Sequence, residues 1–178
     1  MRSFKSKGFS MIELLLVIGL IAVISAVVFF VYPQVRDNNY ANTERQRLLQ
    51  AITVVQSMHF STGHYDSLTT DSANQAGAFV QEANGGSRAP GTIIRNIWGG
   101  TIEMGPASNR KFMRVAYTQV SMEGCLKFAT GVGHSFQSVA VNGVEVWRAL
   151  SGDDIDVSAT VEACNANPNG ATIVFISN

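Results

Sequence analysis

Histidine and cysteine are scarce in this chain, with three His and two Cys among 178 residues. The cysteines, Cys125 and Cys164, form no C-x-x-C pair and have no neighbouring histidine, so they do not make a four-ligand zinc site. His59, His64 and His134 are scattered, and the H-x-x-x-x-H pair reads as surface rather than as metal ligands. No P-loop, dinucleotide fingerprint or G-x-S-x-G elbow occurs, and Ser121 and Ser135 sit in none of these settings. Neither a catalytic residue nor a cofactor or metal is therefore expected. Charge is also sparse, at 15% of residues. Three of the 13 basic side chains, Arg2, Lys5 and Lys7, lie in the first eight positions, leaving ten against 13 acids in the remainder. Without a basic stripe beyond that head the electrostatic footprint of duplex binding is missing, and nucleic acid is not an expected partner. Asp153, Asp154 and Asp156 lack the spacing and the glutamate of an EF-hand and read as solvated acids or helix caps. Trp98 and Trp147 read as core or interface aromatics.

What the chain does have is a long apolar run. From Phe9 to Tyr32 only Ser10, Glu13, Gly19 and Ser25 interrupt it. As a helix of about 24 residues it would extend roughly 36 Å at 1.5 Å per residue, enough to cross a hydrocarbon layer of about 30 Å. It ends in F-F-V-Y-P-Q-V-R with no A-x-A cleavage site, so it reads as a retained span with its basic head in the cytoplasm and its body outside the inner membrane. Glu13 stands out here, because an ionised carboxylate costs on the order of 2.5 kcal/mol at the bilayer centre and calls for a partner. If the chain were cut between Gly8 and Phe9, a new α-amino group would appear one helical turn before Glu13, available to meet it between adjacent, staggered helices.

The remainder predicts an α+β body with one core. Pro33 interrupts the helical pattern, which then resumes over Asn38 to Phe60, with Leu48, Ile52, Val55 and Phe60 on an apolar face and Glu44, Arg45, Arg47 and Gln50 between them. Gly63 is a plausible stop. Residues 62–110 read as a long irregular connection, with a short helix near Ser72 to Glu82 and a strand near Thr92 to Ile97. Phe112 to Val120 predicts a strand, and Ser121 caps a helix reaching about Thr130. Ser138 to Val141 and Val144 to Ala149 flank Asn142-Gly143, the pair suited to a type I′ hairpin. Val157 to Cys164, after the acidic cluster, reads as helix or irregular structure, and Ala171 to Ser177 reads as a fully buried interior strand. In an oxidising compartment Cys125 and Cys164 would pair, the alternative being two buried thiols.

The string K-G-F-S-M-I-E-L-L-L-V-I-G-L-I-A-V-I resembles the processing signal and N-terminal helix of the type IV pilins and related pseudopilins. The resemblance implies removal of residues 1–8 by a prepilin peptidase cutting between Gly8 and Phe9, then N-methylation of Phe9. It further implies packing of residues 9–32 into a filament core, where Glu13 pairs with a neighbour's N-terminal amine. The implied fold is a long N-terminal helix packed on a mostly antiparallel sheet, within a globular region over 33–178 whose disulfide-bounded part runs from Cys125 to Cys164. G-C-L-K-F-A-T-G-V-G-H-S-F-Q-S-V-A-V-N-G and the C-terminal A-T-I-V-F-I-S-N look closest to class b pilins, while the eight-residue leader and Phe9 are of the class a kind. The implied role is a major pilin serving adhesion, aggregation, motility or conjugation, a homopolymer dependent on inner-membrane assembly machinery and able to meet a host or recipient cell. A type II secretion pseudopilin or a minor pilin is the alternative. Major pseudopilins generally carry a C-terminal calcium site instead of this disulfide.

Overall fold

The computed structural model describes residues 10–79, 88–107, 110–150, 152 and 154–177. The chain divides into two units, one ending at Arg36 and the other running from Asp37 to Asn178.

Helix α1 spans Met11–His59, so Pro33 does not end it. Ser10 opens it: its carbonyl accepts from Leu14 N–H at 3.1 Å. From Met11 to Phe29 the helix is apolar on every side apart from Glu13 and Ser25, and its large apolar side chains are exposed, from Val17 at 43% to Met11 at 86%. Met11–Phe29 is long and apolar enough to cross a membrane, and none of it is buried within the chain.

In the second unit α1 becomes two-faced. Ala41, Glu44, Leu48, Ala51, Val55 and His59 are buried, spaced by three or four residues along one stripe. Phe60, expected on that stripe, is 91% exposed. The helix ends one residue earlier, at His59, which takes the inward position and stacks on Tyr65 with ring centroids 5.1 Å apart. His59, read as a surface residue, is thus a core residue whose Nδ1 lies 3.1 Å from the Val55 carbonyl. Gly63, at φ +64°, turns the chain away, donating its N–H to the His59 carbonyl.

Helix α2 is Thr70–Gln75, capped by Thr69, shorter than the expected Ser72 to Glu82. The end of that expected helix lies outside the described residues. The expected strand at Thr92 to Ile97 reduces to a single bridge between Arg95 and Thr101. A real strand follows it instead, β1 at Ile102–Pro106, inside what read as irregular chain. Its sequence I-E-M-G-P hides it, since Gly and Pro argue against a strand except at an edge or end, which is where β1 lies.

Strand β2 is Met113–Val120 and helix α3 is Met122–Val132, capped by the Ser121 hydroxyl and followed by a 3₁₀ turn at Gly133–Ser135. Strands β3 (Ser138–Val141) and β4 (Val144–Arg148) form the expected hairpin, with Asn142 at φ +49° and Gly143 at φ +84°. Helix α4 is Val157–Asn165 and β5 is Ala171–Ser177. The strands form one antiparallel sheet in the order β1-β2-β5-β3-β4. Strand β5 is interior as expected but buries alternate residues: Ile173 and Phe175 face the core, while Val174 and Ile176 are half-buried on the other side. One face of the sheet thus seals the core, as antiparallel sheets commonly do. Phe175 sits against Tyr117, Phe128 and Phe136, at ring distances of 6.1, 5.1 and 4.9 Å.

The loop before β1 is held by Asn96, which is buried. Its Oδ1 accepts from Trp98 and Gly100 N–H, each at 3.0 Å, and its Nδ2 donates to the Thr118 carbonyl at 2.7 Å. A β-carbon at Gly100 would collide with that carbonyl oxygen and lie 2.9 Å from Asn96 Nδ2. Both obstacles are backbone or hydrogen-bonded, so neither can give. Gly100→Ala is expected to cost roughly 3 kcal/mol or more. Thermal unfolding of the detergent-solubilised chain checks this, and an unshifted midpoint would contradict it.

Candidate functional site

Gly8 and Phe9 lie outside the described residues. Glu13 occupies the first turn of α1 and is exposed. Its N–H donates to the Ser10 carbonyl at 3.0 Å. Among the described residues no cation lies within ion-pair distance of its carboxylate. A carboxylate in the first turn is favoured by the helix dipole by about 0.3–1 kcal/mol. That is less than the cost of holding the charge inside a bilayer, so the dipole alone does not account for the residue. Around Glu13 the helix offers no other polar side chain from Met11 to Ile24. The site is a smooth apolar rod with one negative charge near its start.

The two cysteines are joined. Cys125 on α3 and Cys164 on α4 form a disulfide with Cα atoms 5.9 Å apart, and both are buried. The bond ties the start of α3 to the end of α4. Asp156 caps α4, accepting from Ala159 N–H at 2.9 Å and from the Ser158 hydroxyl at 2.7 Å, and these bonds hold its carboxyl below the usual carboxylate range. One acid of the cluster is therefore a helix cap, Asp154 is exposed, and Asp153 lies outside the described residues. Among the described residues no group of three or more His, Cys, Asp or Glu is placed to hold a metal. Trp98 packs on Phe128 at 5.6 Å and Trp147 is buried, as expected of core aromatics.

Glu44 was read as a polar residue between apolar ones, but it is fully buried. Its Oε1 accepts from Arg47 Nη1 at 3.0 Å and from Ile97 N–H at 2.8 Å, pinning the loop before β1 to α1. Its Oε2 meets no donor among the described residues. Burial pushes the Glu44 carboxyl above its ordinary value, against the opposing pull of Ile97 N–H and Arg47. The Tyr117 phenol is pushed well up by its own burial and by the Glu44 charge. The sequence signal was present: Glu44 stands four residues before Leu48 and three after Ala41 on the buried stripe.

A carboxyl whose native pKa is raised is protonated more readily in the folded than in the unfolded chain. Its contribution is complete below about pH 4.3, where unfolded glutamate titrates, and is lost as pH rises through the raised native value. The melting temperature of wild type relative to Glu44→Gln is therefore expected to rise on acidification from neutral pH. Parallel melting profiles across that range would contradict it.

A family profile described as "PilS N terminal" matches residues 38–178, and one described as "Prokaryotic N-terminal methylation motif" matches residues 3–29. Over 139 residues the chain is 24% identical to the major structural subunit of bundle-forming pilus from Escherichia coli O127:H6 (strain E2348/69 / EPEC), covering 76% of this chain and 70% of that protein. The same values hold for its counterpart in Escherichia coli O111:H-. The crystal structure of a type IV b pilin from Salmonella typhi shares the fold, with a TM-score of 0.58 over 77% of this chain and 99% of that one at 23% identity. The helix laid on an antiparallel sheet, the disulfide-closed C-terminal half and the matched body and leader place this chain in the type IV pilin family, with class b affinities.

Proposed function

We propose that this chain is the major structural subunit of a type IV pilus. One observation carries the reading: Met11–Phe29 is apolar on all sides and wholly unburied within a chain whose second unit has a closed core of its own. Such a surface needs an apolar surrounding, first lipid and then other helices of its kind. Residues 1–8 are the leader, removed by a prepilin peptidase that also methylates Phe9. Residues 9–32 span the inner membrane with the N-terminus cytoplasmic and then pass into the filament core, and 33–178 form the outer body. Within the core Glu13 pairs with the Phe9 amine of an adjacent subunit. Assembly depends on inner-membrane machinery, and the mature filament stands on the cell surface. The 62–110 connection and the 125–164 region face outward, toward a host or recipient cell, because loops carry variable recognition on a fixed scaffold.

Mass spectrometry of the mature chain, with electron microscopy of material sheared from cells, tests the reading. The expected chain begins at a Phe9 bearing one methyl group and comes from thin filaments. Gly8→Leu is expected to leave the precursor uncut, whereas the same mature N-terminus from this variant would refute the assigned junction.

A further inference from the structure

Both edges of the sheet are stoppered from within the chain. On β1 the Thr70 hydroxyl oxygen accepts from Met104 N–H at 2.9 Å and lies 3.3 Å from the Met104 carbonyl. On β4 the Asp156 N–H donates to the Val146 carbonyl at 3.2 Å. Open edges recruit additional strands, and each of these edges is met near its middle by another part of the chain.

Strand register defines two ends of the sheet. At one end Arg114 and Ser138 both pair with Ile176, and Ser138 pairs with Arg148. At the other Val120 pairs with Ala171, and Val141 with Val144. The first end carries an open, largely apolar groove of about 490 Å³, lined by Phe112, Leu150 and Ile176 with Ser138 and Arg148 at its side. Leu150 is 89% exposed there, and Lys111 and Arg114 make this end basic along with Arg148, whose guanidinium also meets Glu145 at 2.7 Å. At the opposite end Met122, the first residue of α3, is 57% exposed beside the exposed Glu123.

We propose that, in the assembled filament, the Phe112–Leu150–Ile176 groove of one subunit receives Met122 of a second copy of this chain, whose Glu123 faces Arg114 and Arg148. The proposal rests on the filament reading above and deepens it. An apolar groove with a basic rim meets an apolar knob with an acidic neighbour. Methionine is flexible enough to fill an irregular groove, and Met and Arg are enriched where protein surfaces join. The contact joins unlike ends, and a head-to-tail contact of this kind builds an open helical filament wherever its rotation does not close into a ring.

Leu150→Asp places a carboxylate in the groove opposite Glu123, at a position too exposed to disturb the fold. Recovery of sheared filaments is expected to fall roughly tenfold while the membrane-held subunit stays at its normal level. Filaments of the double variant Leu150→Cys, Met122→Cys are expected to give a ladder of covalent multimers with a short bismaleimide, which neither single variant gives. Normal filament recovery from Leu150→Asp, a double variant that stays monomeric in its filaments, or a product from either single variant alone overturns the contact. Loss of filaments from the parent chain would be recognised separately, since it overturns the filament reading itself.

Discussion

Replacing Glu13 by alanine is expected to leave the subunit in the membrane and reduce filament recovery by more than about tenfold. The reason lies in where the charge stands. Alanine removes the only acidic side chain of the span and makes insertion in lipid more favourable, by about 2.5 kcal/mol if the charge sat at the bilayer centre. The membrane form is thus stabilised. In a filament held by the proposed pair, the same change would strand a neighbour's N-terminal ammonium among apolar side chains, and leaving a buried charge without its partner costs about 3–5 kcal/mol. Both effects push toward the membrane. Glu13→Gln separates the charge from the shape of the side chain, because it keeps size and hydrogen-bonding capacity but not charge. Immunoblots of membrane and sheared fractions measure the partition, and wild-type recovery from Glu13→Ala would refute the pairing.

The second large effect is expected at the disulfide. Cys125 and Cys164 are 39 positions apart, and closing a loop of that length stabilises a fold by about 4 kcal/mol in the chain-entropy model. Domains are commonly stable by only about 5–15 kcal/mol in total, so the bond is a large share. The double variant Cys125→Ala, Cys164→Ala avoids a stray thiol and is expected to lower the melting temperature of the chain and expose the 125–164 region to protease. Reductant should do the same to wild type and nothing to the variant. A variant that melts with wild type would show that packing of α3 and α4 on the sheet suffices alone.

Glu44 and β1 show where reading the sequence stops working. The buried stripe of α1 could be followed from Leu48, Ile52 and Val55, and one further step back reaches position 44. A glutamate there argues for solvent on any scale of side-chain polarity. What reverses it is Arg47 one turn later and the N–H of Ile97, a residue 53 positions away that no local pattern connects to it. Strand β1 failed for a similar reason. Its Gly105 and Pro106 are poor strand formers, and the segment is extended because β2 pairs with it along one side while Thr70 closes the other. Phe60 is the opposite case, a residue in phase with the stripe that the helix does not reach.

By itself the sequence determined the apolar rod with its early carboxylate, the two-faced continuation of that helix, the Asn142-Gly143 hairpin, the capped helix α3, and the final strand with its interior place in the sheet. These follow from side-chain spacing and local backbone preference, which act over one or two turns and need no knowledge of the rest of the chain. Tertiary structure alone decided that Glu44 is interior, that β1 is a strand, and that an apolar groove and an apolar knob fall at opposite ends of one sheet, while the Cys125–Cys164 bond the sequence expected was realised only by bringing α3 beside α4. Each depends on contacts between distant residues, and such contacts exist only once the chain has closed around its core.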